Sequence, residues 1–249
     1  MQNLSFHDQF TAVILCGGLG TRLAELQLSA PKCLIQVGDR AFLDYQIQGM
    51  EAAGIHRVVL CAGSLRPLMQ THFMHWPGPA TLEYPDEPVP LGTGGALRAA
   101  MELVRTPYVL ALNGDSYTHF PCRDFMRAMV KQESLAMVLA SPASDRNDAG
   151  LMLVDEQGVV TGFQEKSRLD HAVYVNAGIY GLRRDALNGW AWGQKLSLEY
   201  DVLPVWVQSR RLRAYTTACR TWDIGTPARL QYMQSHWREI FEFAGTHKP

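Results

Sequence analysis

The chain has 249 residues, 47% of them hydrophobic and 19% charged, with a formal net charge of −1; it is long enough to bury a full core as one domain, and it lacks the basic footprint of a nucleic-acid binder. Its five cysteines form no C-x-x-C pair, which excludes the signatures of a disulfide framework or zinc knuckle, so they read as buried thiols in a reducing compartment. MQNLSFHDQF is no secretory leader and no apolar run reaches the ~18 residues of a membrane span, so the expectation is a cytoplasmic protein with a small-molecule ligand and no nucleic-acid or membrane partner.

In chain order, TAVILC (11–16), RVVLCA (57–62) and YVLALN (108–113) are unbroken apolar runs, the pattern of parallel strands covered on both faces. Between the first two, AFLDYQIQGMEAAG (41–54) puts Phe42, Tyr45, Ile47, Met50 and Ala53 near one helical face and ends in a C-capping glycine. GTGGALRAAMELV (92–104) predicts a glycine-opened helix, and PCRDFMRAMVKQ (121–132) another with Pro121 in its first turn. This is βα alternation, and it predicts a wound α/β sheet. After about residue 134 the texture becomes strand-rich: LAMVLAS, then GLMLVDEQGVVTGFQE with a hairpin turn at DEQG, then AVYVNAGIYGLRR. Antiparallel or mixed strands are expected there. SLEYDVLPVWVQ and TPARLQYMQSHWREIFEFA each predict one helix, the latter with Thr226 as N-cap and Pro227 in first position. No linker, repeat or low-complexity tract interrupts the chain. It is read as one domain of two halves, about residues 11–134 and about 135–240, with the binding cleft between them.

The stretch VILCGGLGTRL (13–23) runs from a strand into a glycine-rich turn, whose N–H groups suit a phosphate. It is neither G-x-G-x-x-G nor G-x-x-x-x-G-K-[ST], so the dinucleotide and P-loop signatures both fail. Instead Arg22 follows the loop and Lys32 stands beyond it in APKCL, two cations suited to phosphoryl chemistry. A tight turn with two solvated cations is the alternative. His72 and His75 are read as a solvated helix face at i, i+3 spacing, and Trp190 to Trp192 as a core edge or subunit contact. No G-x-S-x-G or H-E-x-x-H supports a hydrolase.

LCGGLGTRL…APKCL, EPVPLGTGGAL, LNGDSY, FQEK, VNAGIYGL and WDIGTP, in that order between about residues 11 and 230, together resemble the sugar-1-phosphate nucleotidyltransferases. The chain departs from the family pattern where Cys33 follows Lys32 and where AELQL follows the arginine loop. The resemblance implies a Rossmann-like, mixed but mostly parallel central sheet flanked by helices, of the nucleotide-diphospho-sugar transferase type and without a β-helix extension. It also implies Mg²⁺-dependent transfer of a nucleoside monophosphate from an NTP to a sugar 1-phosphate. By the same resemblance Arg22, Lys32 and Lys166 are catalytic, and Asp115 and Asp223 hold the metal. Leu15, Gly17, Gly18, Gly20, Thr21, Glu87, Leu91, Gly92 and Thr93 meet the nucleotide; Asn113, Gly114, Glu165, Asn176, Gly178 and Glu199 meet the sugar. The alternative for Asp115 is a strand-end turn former, for Asp223 a helix N-terminal charge, and for Glu165–Lys166, taken singly, a solvated turn.

PLGTGG, LNGDSY and the S-L-E-x-D run at 197–201 most resemble family members that guanylylate a heptose 1-phosphate. A carboxylate at Glu87 would accept both guanine donors at once, N1–H and the exocyclic amine, whereas uracil and thymine offer one N–H between two carbonyls. GTP is the expected donor. A solvated loop acid at Glu87, or base reading by backbone near Leu91 and Gly92, is the alternative. Uridylyl, thymidylyl or cytidylyl transfer, a non-catalytic nucleotide-sugar sensor, and homo-oligomerisation all stay open.

Overall fold

A computed structural model describes residues 6–18, 30–143, 150–165, 171 and 174–241. β1 (Phe10–Leu15) is followed by the ribbon β2 (Gln36–Val37) and β3 (Arg40–Ala41), then α1 (Phe42–Ala52), β4 (Arg57–Cys61), α2 (Arg66–His72), β5 (Thr81–Glu83), α3 (Gly92–Ala100) and β6 (Tyr108–Asn113). Next come β7 (Ser116–Thr118), α4 (Cys122–Lys131), β8 (Ala136–Pro142), β9 (Leu151–Val154), β10 (Val160–Gln164) and β11 (Tyr174–Arg183). A π-helical turn, Leu198–Val202, runs directly into α5 (Leu203–Gln208), and β12 (Leu212–Thr216), β13 (Thr221–Asp223), α6 (Pro227–Ser235) and α7 (Trp237–Phe241) follow.

Nine strands form one sheet with the path β5-β4-β1-β6-β11-β8-β12, and the β9–β10 hairpin joins the first residues of β11. The pairings make β10 and β11 antiparallel to the rest, so seven of the nine strands run one way. The order reverses between β1 and β6: from β1 the chain winds outward to β4 and β5, then crosses to β6 on the other side. Such a reversal opens a crevice at the carboxyl ends of the two strands.

The unbroken apolar runs are explained by cover on both faces. Alternate residues Ala12, Ile14, Leu110, Leu112, Val58 and Leu60 pack with Leu43, Ile47, Met50, Met69, Phe125 and Met129 of α1, α2 and α4. Their neighbours Val13, Val59, Val109 and Ala111 pack with Leu97, Ala100, Leu203 and Trp206 of α3 and α5. A third cluster joins Ile35, Val37, Phe42 and Tyr45 to Leu230, Met233, Ile240 and Phe241, which seats the C-terminal helices beneath the β7–β13 ribbon.

The predicted strands and the DEQG hairpin are present, with Gly158 at φ +77° closing the turn. Thr226 caps α6 through Arg229 N–H at 3.4 Å, with Pro227 in first position. Four details differ from expectation. The single helix expected from 226 onward breaks at His236, because Trp237 must turn its ring onto Gly38, where a Cβ would lie 2.3 Å away, while Phe241 stacks on Tyr45 at 3.9 Å. Pro121 is the N-cap of α4 and not part of its first turn. His72 ends α2 and pairs with Asp44 at 3.0 Å, so it and His75 share no helix face. Cys16, Cys33 and Cys61 are buried as expected, but Cys122 and Cys219 are only partly so.

Candidate active site

The carboxyl ends of β1, β4 and β6 lie side by side: Leu15 is in register with Cys61 on one side and Asn113 on the other. Gly114 N–H donates to the Leu15 carbonyl at 2.9 Å, and Cys16 N–H to that of Cys61 at 3.0 Å. A Cβ on Gly114 would meet the Leu15 oxygen at 2.8 Å and Cys16 Cα at 3.0 Å, so only glycine lets the two strand ends come this close. A Cβ on Gly17 would lie 3.3 Å from the Ala62 backbone, whereas one on Gly18 would point into open space. The glycine turn and the N-G-D run therefore share one crevice. Gly20, Thr21 and Arg22 lie outside the described residues, as does Lys166.

Lys32 opens a 3-10 turn, Lys32–Leu34, and its ammonium reaches Asp115 Oδ2 at 2.5 Å, with only 10% of the lysine side chain exposed. Asp115 Oδ1 accepts the Ser116 hydroxyl at 3.0 Å. Asp223 is brought to the same place by β13: it pairs in register with Ser116, and Ile224 N–H donates to the Asp115 carbonyl at 3.1 Å. Its carboxylate accepts Gly225 N–H at 2.7 Å and faces the Arg229 guanidinium at 3.3 Å. The backbone segments that carry the two aspartates, more than one hundred positions apart in sequence, are thus joined at the end of β6.

The loop bearing Asp115 is held from below. Gln46, 2% exposed, donates through Nε2 to the carbonyls of both Asn113 and Ser116, at 2.9 and 2.7 Å, and so brackets Gly114 and Asp115. Sequence reasoning missed it, although a glutamine between Phe42 and Met50 on the apolar stripe of α1 is the signal of a buried polar contact.

The sugar-side positions gather around Tyr180, which is fully buried. Between Asn176 and Tyr180, β11 bulges away from β8, and Gly178 sits in the bulge at φ +73°, where a Cβ would be 2.7 Å from Asn113 Nδ2. Asn176 spans the bulge: its Oδ1 accepts Gly178 N–H at 2.9 Å and its Nδ2 donates to the Tyr180 hydroxyl at 2.7 Å. Burial, and then the charges of Glu199 and Glu165, push the Tyr180 phenol well above its usual range, against the Asn176 bond, and place both carboxylates near it. Asn113 Oδ1 is a buried acceptor with no hydrogen-bond partner among the described residues.

On the nucleotide side, Leu91 is buried and its carbonyl accepts Leu196 N–H at 2.8 Å. Gly92, at φ +74°, lies where a Cβ would be 2.4 Å from the Leu196 oxygen. Thr93 is a link sequence reasoning did not see: its hydroxyl donates to Glu199 Oε2 at 2.8 Å and accepts Leu198 N–H at 2.8 Å, and the Ser197 hydroxyl donates to the same carboxylate oxygen at 3.0 Å. The glycine-opened start of α3 and the candidate sugar carboxylate are thereby one unit. Glu87 accepts Gly63 N–H at 3.1 Å beyond the end of β4; burial raises its pKa above the usual glutamate range, and that hydrogen bond partly opposes the rise.

Among the described residues no group of three or more His, Cys, Asp or Glu side chains is arranged to hold a metal, and no helix is long and apolar enough to cross a membrane. Two aspartate-bearing segments joined at the end of β6, with a mostly buried lysine on one of them and a glycine turn alongside, suit the binding and alignment of phosphates. The sequence profile of the nucleotidyl transferase family matches residues 11–238. The chain belongs to the nucleotidyl transferase family. As a nucleotidyl transferase it is 31% identical over 188 residues to a D-glycero-alpha-D-manno-heptose 1-phosphate guanylyltransferase of Campylobacter jejuni, covering 76% of this chain and 82% of that one. It is 30% identical over 227 residues to a mannose-1-phosphate guanylyltransferase of Mycobacterium tuberculosis, covering 88% of this chain but 62% of that longer one. Its fold matches the crystal structure of HddC from Yersinia pseudotuberculosis with a TM-score of 0.79 at 24% identity, over 91% of this nucleotidyl transferase and 99% of that chain.

Proposed function

We propose that this nucleotidyl transferase moves GMP from GTP to a sugar 1-phosphate of the heptose type and releases pyrophosphate. The observation that carries the reading is the joining of the Asp115 and Asp223 segments at the end of β6, with Lys32 on Asp115 and the end of β1 alongside. The guanylyl choice draws on the guanylyltransferases of Campylobacter jejuni and Mycobacterium tuberculosis, and on Glu87, whose Oε1 is fixed by Gly63 N–H at the crevice wall.

The donor set fits Mg²⁺. Both candidate ligands are carboxylates, hard oxygen donors, and two of them leave the remaining positions to substrate phosphates and water, as this ion prefers. Asp115 already carries a cationic partner, the Lys32 ammonium. When bound, the ion would neutralise phosphate charge and draw electrons toward the departing oxygens.

The chain's own groups perform the rest. An oxygen of the sugar 1-phosphate attacks the α-phosphorus of GTP as the bond from that phosphorus to the α–β bridging oxygen breaks, and pyrophosphate leaves with the electron pair. The attacking oxygen is already ionised, so no general base is needed and the work is alignment and charge neutralisation. Backbone N–H groups of the Gly17–Gly18 turn serve the phosphates, Lys32 contributes a positive charge, and Glu165, Asn176 and Glu199 receive sugar hydroxyls by the family resemblance. Arg22 and Lys166 take their phosphate roles by resemblance alone. Pyrophosphate release, measured over four NTPs and a panel of sugar 1-phosphates, tests the reading. Highest kcat/KM is expected with GTP and a heptose 1-phosphate; preference for UTP, dTTP or CTP overturns the guanylyl choice, and absence of release with every pair overturns the activity.

A further inference from the structure

At the opposite end of the strands from Asp115, where Arg183 of β11 pairs with the first residue of β6 and where β8 and β12 begin, the surface forms an open cavity of about 890 Å³. Four arginines line it, Arg183, Arg210, Arg211 and Arg213, against two carboxylates, Glu133 and Asp185. Counting Asp155, which is paired with Arg210, that is an excess of one positive charge in one concavity, on a chain whose formal net charge is −1. Arg183 forks onto Asp185, Arg210 pairs with Asp155 at 2.8 Å, and Arg213 donates to the Gln157 carbonyl at 2.5 Å. Arg211 adds its charge near Asp185 but hydrogen-bonds to no carboxylate among the described residues.

A second observation is independent of the arginines. Ser134 lines the same cavity, is 6% exposed, and its hydroxyl has no hydrogen-bond partner among the described residues. A buried hydroxyl without a partner is costly unless a ligand or water completes it. The apolar wall is aromatic: Trp190 packs edge-on against Trp206, with centroids 6.1 Å apart, and Arg211 N–H is anchored to the Trp206 carbonyl at 2.8 Å.

We propose that this cavity is a second ligand site, separate from the nucleotidyl-transfer crevice, which takes a phosphorylated small molecule of nucleotide size through its phosphate oxygens. Guanidinium groups match phosphate with paired N–H bonds, and a site built from arginine without a single lysine favours such planar, bidentate contacts over a loose point charge. The remaining positive charge matches an anionic group. A metal cation is a poor occupant, because the carboxylates are outnumbered and Asp185 is already bound by Arg183. The volume falls in the range of small-molecule sites, about 300 to 1,000 Å³, and is far too large for a phosphate group alone, so Trp190 supplies a face for the rest of the ligand.

The test is titration calorimetry at low ionic strength with GDP and, separately, with inorganic tripolyphosphate. Wild type, Arg211→Ala/Arg213→Ala and Lys32→Ala are compared, with thermal melts as the check on folding. Two GDP events are expected in wild type. The double arginine variant, melting as wild type and releasing pyrophosphate at the wild-type rate, keeps one event and loses the other at least tenfold in affinity; Lys32→Ala keeps the event that the arginine variant loses. If the crevice takes no guanine nucleotide, a single event remains, lost in the arginine variant and kept in Lys32→Ala, and the inference stands. Tripolyphosphate binding that falls in parallel assigns recognition to the phosphates. Equal GDP and tripolyphosphate binding by wild type and the arginine variant overturns the proposal, as does concentration-dependent self-association that the arginine variant alone abolishes while GDP binding is unchanged.

Discussion

Lys32 reaches Asp115 from a turn 83 residues earlier in the chain, so the ion pair reports on how the crevice is built as well as on what it binds. Replacing Asp115 with alanine removes a candidate metal carboxylate and leaves a mostly buried ammonium without its partner. Turnover is expected to fall by about two orders of magnitude or more while the fold persists; near-normal pyrophosphate release from Asp115→Ala would remove the aspartate from the site. Glu87 carries a pH signature with a defined sign. Burial raises its pKa in the folded chain, so the native state holds that proton more tightly than the unfolded state, and stability falls as pH rises through the window above the ordinary glutamate value of 4.5. Glu87→Gln keeps an oxygen for Gly63 N–H and removes the titration. Its unfolding free energy should lose that downward slope, and its kcat/KM ratio for GTP over UTP should fall; an unchanged ratio would deny Glu87 a part in base choice. Gly178 is constrained twice, by a φ of +73° and by Asn113 Nδ2 at 2.7 Å from any Cβ. Gly178→Ala should cost roughly 1 to 3 kcal/mol, read as a lower melting temperature.

Among elements, α1 does more than cover the sheet. Its Gln46 ties both ends of the Asn113–Ser116 loop, so Gln46→Leu, close in volume, leaves two carbonyls without their donor. A loss of roughly 1 to 3 kcal/mol in urea unfolding is expected, together with lower turnover, and a variant equal to wild type in both would show that the loop needs no such tie. β1, β4, β6, β8 to β11, α1, α3 and α4 were legible because an apolar run or stripe is a local property that burial imposes directly, whereas α2 and the short strands β2, β3, β5, β7, β12 and β13 carry too little of such a pattern to be read. The break at His236 was not, since it depends on Gly38 accepting the Trp237 ring, a contact between residues almost two hundred positions apart. The candidate site divides in the same way. Glycines, lysine and aspartates at strand ends stood out as motif residues, whereas Gln46, Thr93 and Tyr180 act through partners that only the folded chain brings to them: Thr93 meets Glu199, and Tyr180 meets Asn176 across a bulge.

For the molecule as a whole, the decisive join is β11, which pairs with β6 of the first half and β8 of the second, so both halves share one sheet and two continuous apolar layers. Urea unfolding followed by tryptophan fluorescence and by far-ultraviolet circular dichroism should therefore give coincident curves; two separated transitions would show that the halves unfold independently. The same layers enclose three thiols beneath the glycine turn. Cys16 begins that turn and donates to the Cys61 carbonyl, Cys33 donates to the Cys16 carbonyl, and Cys61 donates to that of Ala96. A hydrogen bond to Cys33 and burial push the Cys16 thiol well above its usual range, and burial does the same to Cys61. A buried thiol reacts only when its surroundings open, so these three cysteines are a built-in stopwatch. With an alkylating reagent in excess, Cys219 is consumed first, and the slow modification of Cys16, Cys33 and Cys61 counts how often the floor of the crevice parts from the sheet, a frequency that substrate occupancy would slow.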